Sequence, residues 1–441
     1  MAFRSRMTLV VLGITATLLI AVILVIPALL NLDRYRPKVI SYLQERTGKE
    51  VEIGRLALML FPLTIRVDDF AMRNPPPFPP GDVVRVARIE VAIDSRALLH
   101  RRVVIKWLSL DKPIIHLISD PDSVWNFDPR PTKVPEEAFA VGVIAKVKIK
   151  DAQLVASNLL SSDAPGPIFF EAHDVSGELE QVNVDAIINP SPTSLGGQGS
   201  VKADRLSFGA VDARNLTFKL QLWAKQVFLA DVRAEVCGGH GAGTLFFDLS
   251  RKRPVFSTHA KFSRVSLAEL LEPFQNGRGK ITGNLEGELT LAGEVQHSQR
   301  PLAGIHGNGH ITVRNGEVPS LRLNQNLMKL VRFNNQGPAK ENPSSFNFIS
   351  SDLELANLRI VSKVIDVDGY GVDIDGSGSV NVDGSDELNY QGTAKITTKQ
   401  GFFTNTFARL SGATLQEGQL SFPFRVGGTI ESPVFSRGRA D

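Results

Sequence analysis

RIEVAIDSRALLHRRVVIKWLSLDKPIIHLI, residues 88–118, alternates apolar and polar residues with the period of two that is typical of a half-buried β-strand. Ile89, Val91 and Ile93 fall on one side of the first strand, and the charged residues between them fall on the other. The same alternation returns through most of the chain. The sequence therefore predicts a mainly β protein with a few short helices, in which one face of the sheet is apolar and must be covered.

The composition excludes several classes of protein. The chain has 441 residues, of which 43% are hydrophobic and 22% are charged, so it is neither disordered nor wholly embedded in a membrane. A net charge of +3 does not by itself indicate nucleic-acid binding. The single cysteine, Cys237, excludes an intrachain disulfide and a zinc site of several cysteines, and we expect a buried thiol.

Residues 7–32 carry no charged side chain and predict a transmembrane anchor. As a helix this run would be about 39 Å long, against a hydrocarbon core of about 30 Å. Arg4 and Arg6 precede the run, which places the N-terminus in the cytoplasm. A cleaved signal peptide is the alternative, but its apolar region would be shorter and Pro27-Ala28-Leu29 is a poor cleavage site. We expect a single-pass membrane protein with its N-terminus in the cytoplasm and most of the chain across the membrane, which is the periplasm if the source is a Gram-negative bacterium.

The charges are unevenly distributed along the chain. Residues 33–112 contain 15 Lys and Arg against 10 Asp and Glu, whereas residues 346–390 contain 2 against 9. Two interpretations stay open at this point. Either the charges of both segments lie on solvated strand faces, or the basic segment lies against anionic lipid headgroups.

Four short segments have helical features. Pro37–Thr47 predicts an amphipathic helix near the membrane surface, with Pro37 in the first turn and Gly48 at the stop. Ser266–Gln275 begins with a capping box, and Leu321–Phe333 has leucines at helical spacing. Thr404–Leu410 is the fourth segment predicted to form a short helix. Between them the period of two predicts strands, including a strand or hairpin at Ile53–Val67 and separate strands at Val84–Asp94, Val103–Leu110 and Ile114–Ile118.

A proline-rich linker, PRPTKVPEE at residues 129–137, marks the first predicted boundary within the β region. The predicted parts of the chain are a cytoplasmic tail (1–6), the anchor (7–32), an N-terminal β domain (33–130), a middle β region (141–262) and a C-terminal region with helices and glycine-turn strands (263–436).

A weak internal repeat occurs in the last of these regions. GELTLAG (287–293), GHITVRNG (309–316) and GSVNVDG (378–384) share a glycine, two alternating apolar residues and a second glycine. Each predicts a strand that enters a tight turn, where the second glycine supplies a positive φ. The alternative is that any β-rich chain produces such runs.

The apolar face can be covered in three ways: by a second sheet, by closure into a barrel, or by something other than protein in a long curled sheet. Periodicity does not choose among them. About 25 strands in one curled sheet would form a trough on the order of 100 Å long, and an apolar trough tethered to a membrane suits acyl chains. The residues predicted to line such a groove are Ile89, Val91, Ile93, Val103, Ile105, Leu289, Leu291, Ile311, Val313, Val380 and Val382.

No catalytic, cofactor or metal residues are predicted. The chain has no Gly-x-x-x-x-Gly-Lys phosphate loop and no Gly-x-Ser-x-Gly elbow. His306 and His310 are four apart, but the glycines around them favour a turn over a zinc-binding helix. DVDGYGVDIDGSG, residues 366–378, fails as an EF-hand loop because Tyr370 and Ser377 fall on ligand positions, so it predicts acidic β-turns.

Four segments together resemble the AsmA family of inner-membrane-anchored periplasmic proteins, whose architecture is related to bridge-type lipid transfer proteins. They are NLDRYRPKVISYLQERTGKEVEIGRL (31–56), RIEVAIDSRALLHRRVVIKWLSLDKPIIHLISDPDSVWNFD (88–128), the helix-bearing residues 267–333, and FRVGGTIESPVF (424–435).

This resemblance implies an elongated, curled, antiparallel-type sheet whose groove carries phospholipid towards the outer membrane, without enzymatic activity. It also implies an alternative, a role in outer-membrane protein assembly or as a scaffold without lipid transport. The expected partners are phospholipid acyl chains, the inner membrane and outer-membrane or periplasmic proteins, with no nucleic acid and no cofactor.

Overall fold

Over the residues that it describes, the computed structural model is mainly β, with 74% strand and 9% helix, which confirms the predicted class. It describes residues 32–60, 62–100, 104–121, 124–127, 143–161, 164–183, 195–208, 211–223, 225–248, 250–251, 253–272, 281–294, 303–330, 344–397, 413–416 and 419–438. The predicted anchor, apart from Leu32, and the helix predicted at Thr404–Leu410 lie outside these residues. Within them, no helix has both the length and the apolar composition needed to span a bilayer.

The structure has two compact units. The first comprises the chain up to residue 209 together with 219–225, and the second comprises 210–218 together with the chain from 226 onward. Strand β8 (Val211–Trp223) contributes to both. The domain boundaries expected near residues 130 and 262 remain predictions.

The first unit is a sheet of seven strands in chain order, with a helix at its start. Its elements are a 3₁₀ turn (Leu32–Tyr35), α1 (Arg36–Thr47), β1 (Val51–Leu60), β2 (Leu63–Arg73), β3 (Asp82–Ile93), α2 (Ser95–Leu99), β4 (Ile105–Ser119), β5 (Val143–Ser161), β6 (Ala164–Asn183) and β7 (Leu195–Phe208). α1 confirms the predicted helix and ends at Gly48, which has a left-handed φ of 64°.

The strands of the first unit pair with their neighbours in an antiparallel manner, except that β4 and β5 are parallel. The predicted antiparallel-type sheet describes the other pairs of this unit, and β4 with β5 is the exception, because β5 begins at the same end of the sheet as β4. The prediction of two strands at Val103–Leu110 and Ile114–Ile118 is wrong, since β4 runs through both without a break.

One left-handed residue interrupts several strands of this unit near the middle. Asp69 in β2, Lys112 in β4, Asp151 in β5 and Asp174 in β6 have φ between 51° and 55°. The pairing aligns these positions: Asp111 lies opposite Lys150, so that Lys112 lies beside Asp151. We call this line of residues the bend row.

The bend row changes the spacing of apolar residues from two to three. A left-handed residue breaks the strict alternation of side chains, so a strand with uniform spacing would turn its apolar residues to the other face. The sequence compensates in each strand, and the apolar residues stay on one face. In β4 they are Leu108, Leu110, Pro113 and Ile115, and in β5 they are Val147, Ile149, Ala152 and Leu154.

The second unit is an antiparallel sheet that continues in chain order from β9 to β17. Its elements are β9 (Gln226–Val236), β10 (Gly239–Asp248), β11 (Val255–Ser266), α3 (Leu267–Leu271), β12 (Thr282–Glu294), β13 (His306–Glu317), α4 (Leu323–Leu330), β14 (Ser345–Ala356), β15 (Arg359–Gly369), β16 (Val372–Asn381), β17 (Leu388–Thr397), β18 (Thr414–Gln416), β19 (Gln419–Gly428) and β20 (Pro433–Arg437). β19 pairs with β17, β18 and β20.

Two of the three helices predicted in this unit fall on described residues, and both are present. The Ser266 hydroxyl accepts a hydrogen bond from the backbone N–H of Glu269 at 3.3 Å and caps α3. α4 lies within the predicted segment Leu321–Phe333, and its Leu327 is fully buried in the core. This core also contains Phe346, Ile396 and Leu420, so the part of the sheet beneath α4 is filled by protein.

The glycine-flanked repeat forms strands, but its proposed turn glycines are mostly not in turns. Gly384 has a φ of 99° and lies in a turn, as predicted. Gly293 and Gly316 lie within β12 and β13 instead, and their φ angles are not in the left-handed region. A Cβ on Gly316 would overlap the ring of Phe346, so this glycine provides space for a neighbouring side chain.

Hydrogen bonds of Asn126 connect the end of β4 to the loop that follows β2. Its side chain is fully buried, and its amide group donates to the Asn74 side chain at 2.8 Å and to the His116 carbonyl at 2.7 Å. Its side-chain oxygen accepts from the Ile118 backbone N–H at 3.0 Å. The Trp-Asn pair of the sequence therefore has a structural role, because Asn126 satisfies three groups that would otherwise be buried without partners.

We predict that Asn126→Ala lowers the free energy of unfolding by about 2–4 kcal/mol, since it leaves buried polar groups unsatisfied. The urea midpoint of the full-length protein in detergent, measured by pulse proteolysis, checks this. Asp120→Ala removes an exposed turn hydrogen bond to the Val124 N–H and serves as the control, with a loss of less than about 1 kcal/mol. Equal midpoints for the two variants would contradict the structural role of Asn126.

We predict that Asp151→Val lowers the free energy of unfolding by about 1–2 kcal/mol relative to Asp151→Gly, because a β-branched residue disfavours a φ of 51°. The same urea measurement compares the two variants. Lys150→Val, at the neighbouring position without a left-handed φ, is the control. A Lys150→Val loss as large as that of Asp151→Val would show that the bend row imposes no special conformational demand.

Candidate functional site

The first unit presents one apolar face that is continuous across neighbouring strands. Residues that lie directly opposite each other in the pairing form rows across the sheet, and each row is apolar on this face. Two rows on one side of the bend row are Ile65–Val91–Leu108–Val147 and Val67–Ile89–Leu110–Ile149, and two on the other side are Met72–Val84–Ile115–Leu154 and Phe70–Val86–Pro113–Ala152.

The opposite face of the same strands carries cross-strand ion pairs. Arg66 lies 3.1 Å from Glu90, and Arg88 lies 3.1 Å from Asp68. Lys146 also pairs with Glu178, and this hydrogen bond lowers the pKa of the Glu178 carboxyl group. Because these charges are solvated and paired with one another, this face can remain exposed to solvent without another layer of protein.

Burial is uneven along the apolar face. At β1 it is covered by α1, whose Val39, Ile40 and Leu43 pack against a cluster in which Val51 is 2% exposed. In β3 to β5 three of the rows are half-buried apart from Val147, and this includes Ile89 on β3, whereas Val86, Pro113 and Ala152 of the fourth row are buried. Large apolar side chains are usually fully buried when a second layer covers them, so the part of the face formed by the half-buried rows is open.

α1 also protects the free edge of β1. The Asp33 carboxylate accepts a hydrogen bond from the Leu56 backbone N–H at 3.1 Å, and the Arg36 guanidinium donates to the Gly54 carbonyl. An unpaired strand edge invites association with other strands, and these two side chains occupy it. Beside them, a cleft of about 650 Å³ opens between α1 and the start of the sheet.

The structure brings together most of the groove residues predicted in the first unit. Ile89, Val91 and Ile93 lie on the apolar face of β3, and Ile105 lies opposite Ile93. Val103 lies outside the described residues. The assignment of these side chains to a lipid groove remains a prediction.

In the second unit the predicted residues lie in two different environments. Leu289, Leu291 and Ile311 are half-buried on one face of β12 and β13, whereas Val313 is 5% exposed and belongs to the filled core. The last two predicted residues also differ from each other. Val380 lies on β16 opposite Ile360 and Leu388, and Val382 lies beyond the end of that strand.

Glycines face large residues on the half-buried face of the second unit. Leu289 lies opposite Gly309, and Leu291 lies opposite Gly307. A Cβ on either glycine would come within 2.9 Å or less of the δ-methyl group of the facing leucine. The leucine side chains therefore lie over the neighbouring strand, where glycine leaves room for them.

Sequence reasoning missed the two rows on the far side of the bend row. Val84, Val86 and Ile115 belong to the same face as Ile89, although strict alternation from Ile89 places Val84 and Val86 on the other face. The signal that could have found them is an apolar gap of three residues with Asp, Asn, Lys or Arg just before the next apolar residue. It occurs in VDDF (67–70), LDKP (110–113), IKDA (149–152), ARNL (213–216) and FSRV (262–265).

The two histidines and the acidic segment lie on strands. His306 and His310 are on β13, so the turn predicted for them is wrong, and His310 contacts Asp352 at 2.8 Å. The acidic segment forms the hairpin of β15 and β16: a turn joins the two strands, as predicted, but the acidic residues lie on the strands. Desolvation, and next repulsion from Asp368, raise the pKa of Asp373. Within the described part of the chain, no group of three or more His, Cys, Asp or Glu side chains could hold a metal ion.

Comparison with known proteins supports one family. Residues 4–157 match the model of the AsmA family, a segment that includes α1, β1 to β4 and most of β5. No curated protein matches the chain. The match confirms the resemblance seen in the sequence over residues 4–157, where the chain is similar to the AsmA family.

Proposed function

We propose that this protein binds phospholipid acyl chains along its apolar face and transfers phospholipid from the inner membrane towards the outer membrane. Residues 7–32 hold it in the inner membrane, and the described units lie in the periplasm. The observation that carries the proposal is the open part of the apolar face in β3 to β5, where rows of large apolar side chains are only half-buried. The similarity of residues 4–157 to the AsmA family supports the same role in membrane biogenesis.

The apolar face would lower the free-energy barrier to moving a phospholipid out of the bilayer. Moving an acyl chain from a bilayer into water costs about 0.8 kcal/mol for each CH₂ group. Moving it from the bilayer onto an apolar protein face exposes little new surface, so that step is close to neutral. A continuous face therefore gives the lipid a route that avoids water, and the direction of net transfer depends on the lipid content of the two membranes.

Such transfer breaks no covalent bond and requires no catalytic residue. The lipid headgroup stays in water at the open side of the face, while the methylene groups contact Val91, Leu108 and their neighbours in the rows. The ion pairs of the opposite face keep the sheet soluble and leave one side for the lipid.

A second candidate function is assembly of outer-membrane proteins without lipid transport. Two observations in the second unit favour it: the core beneath α4 is filled by protein, and the short strand β20 pairs in the described structure on one side only, with β19. Val434 on β20 is 61% exposed. An exposed strand edge can accept an extended segment of another protein.

We predict that Ile115→Asp slows lipid transfer by at least about tenfold, whereas Ile114→Asp changes it by less than about twofold. The two isoleucines are adjacent and both half-buried, but Ile115 is on the apolar face, opposite Val84, and Ile114 is on the other face, opposite Arg85. A charged carboxylate in an acyl-chain environment costs about 3 kcal/mol, which in a serial path corresponds to about a 100-fold slower step.

The measurement uses the full-length protein reconstituted in donor vesicles and follows a fluorescent phospholipid into acceptor vesicles. Mass spectrometry of the purified protein measures co-purified phospholipid in parallel. Equal transfer by the two variants, or wild-type protein that carries no phospholipid, would contradict the proposal and favour the assembly function.

A further inference from the structure

α1 has a second side that is not used in packing against the sheet. Tyr35, Lys38 and Tyr42 are spaced three and four residues apart, so they share one side of the helix. The two tyrosines are 43% and 42% exposed, although large aromatic residues are usually more buried. This side differs from the one formed by Val39, Ile40 and Leu43, which packs towards β1.

Cationic groups surround the first of these tyrosines. The Arg34 guanidinium lies 4.8 Å from the centre of the Tyr35 ring and donates a hydrogen bond to its hydroxyl at 2.9 Å. The Lys38 ammonium lies 6.0 Å from the same ring. Exposed tyrosines with Arg and Lys beside them form the combination found where proteins meet the headgroup layer of a membrane. We call Arg34, Tyr35, Lys38 and Tyr42 the aromatic–basic side of α1.

The position of this side in the chain points to the same partner. The charge-free run ends at Leu32, three residues before Tyr35, so a bilayer that holds the run lies within a few residues of α1. The helix cannot turn freely, because Asp33 and Arg36 are hydrogen-bonded to the edge of β1. Tyr42 is seven residues, or about 10 Å, further along the helix than Tyr35.

We propose that the aromatic–basic side of α1 binds the headgroup layer of a phospholipid bilayer that contains anionic lipid, with the helix axis parallel to the membrane surface. In this orientation Tyr35 and Tyr42 both reach the headgroups, and Arg34 and Lys38 face anionic phosphates. The β1 edge then lies at the membrane surface, where lipid can pass onto the apolar face. The inference rests on the proposed function in one respect, that residues 7–32 anchor the chain in that bilayer.

The charges of this region favour a bilayer over an acidic or basic protein partner. The acid within α1, Glu45, accepts a hydrogen bond from Ser41 at 3.2 Å and lies seven residues after Lys38, on the same side of the helix. Arg34 and Lys38 outnumber this acid, so the aromatic–basic side has a net positive charge, and cations close to an anionic membrane surface each contribute about 1 kcal/mol to binding.

Depth-dependent quenching tests the orientation. In a full-length Cys237→Ala background, Tyr42→Cys is labelled with an environment-sensitive fluorophore and reconstituted in vesicles of phosphatidylcholine and phosphatidylglycerol at a ratio of about four to one. Lipids with a nitroxide near the headgroup are the quenchers. Tyr370→Cys is the matched control, because Tyr370 is also 42% exposed and lies between β15 and β16 of the second unit.

We expect headgroup quenchers to remove most of the fluorescence at position 42 and little at position 370. Arg34→Glu combined with Lys38→Glu, or vesicles without phosphatidylglycerol, should reduce the quenching at position 42. Little quenching at position 42, or equal quenching at both positions, would overturn the inference even if the protein carries phospholipid. Strong quenching at position 42 in a protein without bound phospholipid would instead leave the inference standing and contradict the proposed function.

Discussion

The feature on which the first unit depends is the register between its left-handed residues and its apolar residues. A residue with positive φ disturbs the alternation of a strand, and an uncompensated disturbance would put the apolar residues beyond it into water. Here the disturbance falls at corresponding positions in neighbouring strands, and the apolar spacing lengthens from two to three at the same place. All rows therefore belong to one face, although the strands change their alternation half-way.

This arrangement gives the two faces different physical properties. The ion-paired face is stable in water, because Arg66 and Arg88 have partners on the next strand and these pairs remain hydrated. Contact between the other face and water costs free energy. α1 covers this face near β1. The open remainder is a surface that acyl chains would cover favourably, which connects the bend row with the proposed transfer of lipid.

The sequence predicted the elements well and their relations less well. The period of two predicted the β class, proline and glycine predicted the ends of α1, and a capping box predicted α3, because these signals are local. The parallel pairing of β4 with β5 joins strands that are not linked by a local turn signal, and the contact of Asn126 with Asn74 joins residues 52 apart. Strict alternation also failed at Val84 and Val86, because the spacing in β3 changes beside the left-handed Asp69 and Lys112 of the neighbouring strands, and no residue of β3 itself has a left-handed φ.

The pairing of Leu289 with Gly309 and of Leu291 with Gly307 has a consequence for selectivity. Side chains that lie over glycines make a surface of nearly even height, without notches that could fit a double bond or a chain terminus. Acyl chains of different length and saturation would contact such a surface almost equally well and slide along it with small energy barriers. Discrimination between lipids at this location would then have to come from their polar headgroups, which remain in the surrounding water.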